Sequence, residues 1–160
     1  MFPITGPPER TIDLAHRVRI DVLNMVHRAG ASHVGSCFSA ADILAVLYGA
    51  VMRLDPAAPG WAGRDRFILS KGHAAAAVYA VLAQVGFIGH GSLDAYGSDG
   101  SLLMTHVSHG IPGVEFSTGS LGHGLPFGVG KALAARRLGA DWRTFVLLSD
   151  GEMDAGSNWE

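Results

Sequence analysis

The run Phe145-Val146-Leu147-Leu148 constrains this chain more than any other stretch. Four apolar residues, aromatic and β-branched among them, read as a short buried strand of a parallel sheet. The run stops at Ser149-Asp150-Gly151, where the chain must turn. In an open α/β sheet, ligands gather just past the carboxyl ends of the strands. A carboxylate placed there, Asp150, offers a hard oxygen to Mg2+ or Ca2+. Gly151 has no Cβ, so a phosphate oxygen can approach its backbone. The same residues also suit an ordinary turn with no ligand.

A second unit has the same form. Residues 64–70 (Arg-Asp-Arg-Phe-Ile-Leu-Ser) read as a strand entered by charges and left by a serine. Lys71-Gly72-His73 follows, then a helix over 74–85 closed by Gly86. Two strand–turn–helix units separated by helix predict an α/β fold, a mainly parallel sheet with helices on both faces. His73 falls at a strand end and beside a helix N-terminus, where anions are favoured.

The other elements fill in around these two. Residues 1–9, with four prolines and glycines, are expected to be an arm, and residues 10–160 one domain. Apolar spacing predicts a helix over 10–29, capped by Gly30. A loop over 31–38 carries His33. Ser39 with Asp42 three residues on predicts a second helix to about Arg53. Residues 55–63 connect, 93–96 suggest a short helix, and 102–115 read as irregular, holding His106 and His109. The glycine-rich loop 119–124 opens a helix over 125–138, closed by Gly139. On that helix Gly124, Gly128, Ala132 and Ala135 form a small-residue face, expected to pack on another helix or at a dimer interface.

Composition excludes several classes. With 48% hydrophobic and 16% charged residues over 160 positions, the chain is foldable and not disordered. A net charge of −2 without a basic stripe argues against nucleic acid. The lone cysteine, Cys37, forbids an internal disulfide and points to a reducing, cytoplasmic setting. The start lacks the pattern of a signal peptide, and the longest apolar run, 74–83, is too short to span a bilayer, so no membrane role is expected.

His33, His73, His106 or His109, and the loop 119–124 thus collect at strand ends and helix starts with Asp150. That set suits a phosphorylated cofactor held through a divalent cation. Neutral histidines can donate to substrate hydroxyls and move protons. A zinc site built on His106 and His109 with His33 or His123 is an alternative, and so is a purely structural scatter of histidines.

Three motifs carry a resemblance: Ser70-Lys71-Gly72-His73-Ala74; Gly113-Val114-Glu115-Phe116-Ser117-Thr118-Gly119-Ser120-Leu121-Gly122-His123-Gly124; and Ser149-Asp150-Gly151-Glu152 with Gly156-Ser157-Asn158-Trp159-Glu160. In order and spacing they resemble the transketolase family over residues 10–160, in the form of its short N-terminal subunits. The resemblance implies the diphosphate-binding domain of a thiamine diphosphate enzyme. Asp150 would ligate the metal and Gly151 contact the diphosphate. His73, Gly119, Ser120, Leu121 and Gly122 would lie against the cofactor, and His33, His73 and His106 would serve catalysis at the donor sugar. The reaction implied moves a two-carbon ketol unit between sugar phosphates. The implied partners are a sugar phosphate and a pyrimidine-binding domain or subunit, in a homo- or hetero-oligomer.

Departures from the family pattern set further expectations. Serine stands at 149 where the family has glycine, and Ala155 stands where it has a glutamate of an acidic interface network. The family pattern continues past Glu160 to a second metal ligand and further strands. The domain is therefore expected to be C-terminally incomplete, inactive by itself and poorly soluble. A non-catalytic fragment with weak phosphate binding is the alternative.

Overall fold

The computed structural model describes residues 8–160. The arm expected over residues 1–9 lies outside them, apart from Pro8 and Glu9, which open the first helix. That helix, α1 (Pro8–Ala29), begins on a proline, whose fixed φ suits the first helical turn and whose missing N–H needs no acceptor there. Ala15, Val18, Val22, Met25 and Val26 recur every three or four residues and form its buried stripe.

Helix α2 (Val34–Val46) runs on into one π-helical stretch, Leu47–Val51. It starts five residues before the expected Ser39. The Ser39/Asp42 pattern is not a capping box: Ser39 Oγ donates back to the Ser36 carbonyl at 2.9 Å, and Asp42 accepts from Arg19 of α1. Burial of Cys37, Ala40, Ala41 and Leu44 on one face outweighs the local cap signal. Val34–Val51 is also long and apolar enough to cross a membrane by length and composition, although no unbroken apolar run marks it in the sequence. Here its inner face lies in the core with α1 and α3 (Ala75–Val85).

Strands β1 (Arg66–Leu69) and β2 (Thr144–Leu147) pair in parallel, Arg66 opposite Thr144 and Leu69 opposite Leu147. Side chains alternate across the pair. Phe67, Leu69, Phe145 and Leu147 meet the core formed by α1, α2 and α3. Ile68 and Val146 face α4 (Gly124–Leu138) on the other side. Helices therefore cover both faces of a parallel sheet, as expected.

Gly124 and Gly128 of the small-residue face of α4 meet β1, β2 and the Ser70 turn, where packing on another helix was one expectation. A Cβ at Gly128 would come within 2.4 Å of Val146 Cγ2, and one at Gly124 within 2.6 Å of the Ser70 backbone. Ala132 is exposed. The register of the sheet is fixed at its entry. Asp65 is completely buried and accepts from the Arg53 amide (2.9 Å), the Arg143 amide (2.7 Å) and the Arg143 guanidinium (2.6 Å). Beyond β2 the chain forms two 3-10 turns, Gly151–Asp154 and Gly156–Asn158. The short helix expected at 93–96 is a 3-10 segment, His90–Ala95.

Candidate functional site

Three of the eight histidines come together past the carboxyl end of β1. The His33 ring centroid lies 5.1 Å from that of His73 and 6.0 Å from that of His106. Each is brought there by a different element. His33 occupies the N-cap of α2 with φ 74° and ψ 16°, and is the single non-glycine residue of positive φ among the described residues. Such left-handed backbone is uncommon outside glycine and concentrates at functional sites. His73 sits in the 3-10 turn Gly72–Ala74 between β1 and α3. The carbonyl of His106 accepts from the buried Tyr79 hydroxyl at 3.0 Å.

Gly72 ties these segments together. A Cβ there would lie 2.3 Å from the Thr118 carbonyl oxygen, so no other residue permits the approach. Its own carbonyl accepts from the Val107 amide at 3.3 Å, and the Val107 carbonyl accepts from the Thr118 amide at 3.3 Å. Gly119 then lies beneath His106, whose Cδ2 would be 3.2 Å from an added Cβ. Lys71 braces the cluster from behind. Only 6% exposed, its Nζ donates to Ser39 Oγ at 3.0 Å and to the Ser36 carbonyl at 3.3 Å, joining the β1–α3 turn to the start of α2.

These surroundings hold the His73 imidazole below the usual histidine pKa. Burial acts most, followed by the charges His33, Lys71 and His106 take on or carry, against the opposing pull of Glu152. His73 is therefore neutral at pH 7.

The second part of the site lies past β2. Asp150 and Gly151 are exposed, and the space where a Gly151 Cβ would point is open to 4 Å. Ser120 and Leu121 are exposed as well, while Gly122 is buried at φ +84°. Between the two parts stands a residue that the motifs did not single out. Glu152 is 1% exposed and accepts from Ser70 Oγ (2.5 Å), the Gly122 amide (2.9 Å) and the Ser149 amide (3.3 Å). Its own amide donates to Ser149 Oγ at 3.3 Å. Ser149 and Glu152 thus close a reciprocal Ser-x-x-Glu box, and that spacing is the signal by which the sequence could have shown it. Serine, which replaces the expected glycine at 149, has this as its local role.

His109 stands apart, its Nδ1 2.7 Å from Ser117 Oγ. Among the described residues no three His, Cys, Asp or Glu side chains gather to hold a metal ion, so the His106/His109 zinc arrangement does not form. A cleft of about 310 Å³ lies elsewhere, lined by Arg10, Asp13, Arg17, Tyr48, Gln84 and neighbours, and shares no residue with this site.

Parallel strands flanked by helices, with polar groups gathered past their carboxyl ends, define an α/β ligand-binding domain. Its lineage follows from comparison. Residues 11–160 match the family described as transketolase, thiamine diphosphate binding domain, and the chain belongs to that family. It is 42% identical over 151 residues to an apulose-4-phosphate transketolase subunit of Phocaeicola vulgatus, covering 94% of this chain and 54% of that protein. It is 40% identical over 149 residues to human transketolase, covering 92% of this chain and 24% of that protein. The transketolase structure from Leishmania mexicana superposes with a TM-score of 0.89 at 31% identity, covering 93% of this chain and 24% of that one. The chain spans about half the length of the short subunits it matches.

Proposed function

We propose that this chain is the diphosphate-binding portion of an enzyme that moves a two-carbon ketol unit between sugar phosphates, using thiamine diphosphate and a divalent cation, magnesium or calcium. The observation that carries the reading is the convergence of His33, His73 and His106, with His106 over Gly119, in a chain of this family.

The residues suit the cofactor. Asp150 presents an exposed carboxylate at a strand end, the donor type a hard cation takes. The open space at Gly151 admits a phosphate oxygen, and exposed Leu121 offers an apolar surface to an organic ring. Gly119, Ser120 and Gly122 belong to the loop that carries Leu121, and we assign them to the cofactor with it. When bound, thiamine diphosphate supplies the carbanion chemistry that no side chain provides. The chain's own residues orient and protonate. His73, neutral at pH 7, donates one ring N–H and accepts at the other nitrogen. His33 and His106, both exposed, face the same space and are placed to hold donor-sugar hydroxyls.

The other part of the chemistry is assigned to a pyrimidine-binding domain or subunit. Relatives named as transketolase subunits, and not as whole transketolases, support such a partner. Ketol transfer by the assembled enzyme tests the reading. His33→Ala and His73→Ala are each expected to lower kcat/KM about 100-fold or more. The 160-residue chain assayed alone is expected to give no turnover with ketose phosphate, thiamine diphosphate and magnesium. Unchanged kcat/KM in both variants, or turnover by the lone chain above a cofactor-free control, contradicts it.

A further inference from the structure

Glu152 is a buried carboxylate whose hydrogen-bond partners among the described residues are neutral: a hydroxyl and two backbone amides. Burying such a charge is costly, and hydrogen bonds to the charged form are what offset it. The three donors come from three separate segments. Ser70 follows β1, Gly122 belongs to the loop before α4, and Ser149 follows β2. Ser70 Oγ extends the network by accepting from the Gly124 amide at 3.1 Å. The Glu152 carbonyl in turn accepts from Asn158 Nδ2 at 2.6 Å, and Ser157 Oγ donates to the Gly122 carbonyl at 2.8 Å. The 155–157 segment packs close against Gly122: an added Cβ would meet Ser157 Oγ at 2.4 Å and Ala155 Cβ at 2.8 Å.

We propose that Glu152 is a positioning residue that fixes the 119–122 loop and the 149–151 turn relative to each other before any cofactor arrives. Among the described residues its carboxylate is the one group that bonds both segments and the end of β1. The inference rests on the proposed function for what those segments hold, and on the geometry alone for the clamp. It also accounts for Ser149, because serine there completes the box that aims Glu152 inward.

Amide hydrogen exchange on the cofactor-free chain reads the clamp directly. Glu152→Ala is expected to speed exchange at Gly122 and Ser149 about tenfold or more, with the core amides of α1 and α3 changed much less. Magnesium-dependent affinity for thiamine diphosphate, measured on the native assembly, is expected to fall about tenfold or more. Glu152→Gln, which keeps the reach and one carbonyl acceptor, recovers part of both. Val22→Ala, a core change on α1, separates positioning from stability: it lowers the melting temperature and leaves cofactor affinity unchanged. If Glu152→Ala does not fold, Ser70→Ala reads the same network through faster exchange at Gly124. Unchanged exchange at Gly122, or cofactor affinity that falls only as far in Glu152→Ala as in Val22→Ala, overturns the proposal. Failure of the parent assembly to bind thiamine diphosphate overturns the proposed function instead, and exchange at Gly122 then decides the clamp.

Discussion

His73 is the residue whose protonation decides how the histidine cluster can act. Its pKa lies below that of an unfolded histidine, chiefly through burial and then through His33, Lys71 and His106. A depressed histidine pKa means that the folded state binds protons less readily than the unfolded state. The stabilisation is therefore present above the unfolded value, near 6.5, and is lost as pH falls through the folded one. NMR titration is expected to give a His73 midpoint below 6.5, and Lys71→Met is expected to raise it. A midpoint unmoved by that substitution contradicts the placing of the Lys71 charge. The sequence showed the candidate histidines because each borders a strand end or helix start. Spacing by itself left His106 and His109 open, and only the family motifs pointed to His106, since the convergence depends on Gly72 meeting the 118–119 backbone from far along the chain. Nor did the sequence show that Lys71 and Glu152 are buried, because charged side chains are the types least expected inside.

The elements were legible where one physical signal dominated. Gly86 and Gly139, at φ +93° and +64°, end α3 and α4 as their positions predict. Short apolar runs placed β1 and β2 within two residues of their observed bounds. Helix α2 was misjudged because a local cap pattern competed with burial of a Cys/Ala/Leu face, and burial won. The charged entry to β1 hid its role for a related reason, since Asp65 joins residues far apart in sequence. Burial pushes its pKa up, but bonds from the Arg143 side chain, the Arg53 and Arg143 amides and the Arg143 charge bring it below the usual carboxylate range. Asp65→Ala removes the common acceptor of both strand entries and is expected to cost about 3 kcal/mol. Thermal denaturation checks this, with a fall in Tm of about 6–12 °C expected. A change within about 1 °C contradicts the view that Asp65 sets the register.

For the whole molecule, the α/β class and the parallel pairing were readable from two strand–turn units, and the family pattern implied exposed apolar surface, but the apolar run of β2 reads as more buried than it is. Phe67, Ile68 and Leu69 of β1 are buried, but every residue of β2 is only half-buried. Val129, Leu133 and Leu138 of α4 are exposed on the side away from the sheet. An open strand edge beside apolar helix surface favours association. Light scattering at micromolar concentration is expected to show the isolated chain above its monomer mass of 16.7 kDa, and co-expression with a pyrimidine-binding partner to give a defined assembly instead. A stable monomer of the lone chain contradicts this.

The central claim, that the strand end at Asp150 and the loop at 119–122 hold thiamine diphosphate through a divalent cation, is tested most directly by titration calorimetry on the native assembly. The account predicts thiamine diphosphate binding that requires magnesium and is abolished by Asp150→Ala. Binding of equal affinity without magnesium, or in the Asp150→Ala protein, would contradict it.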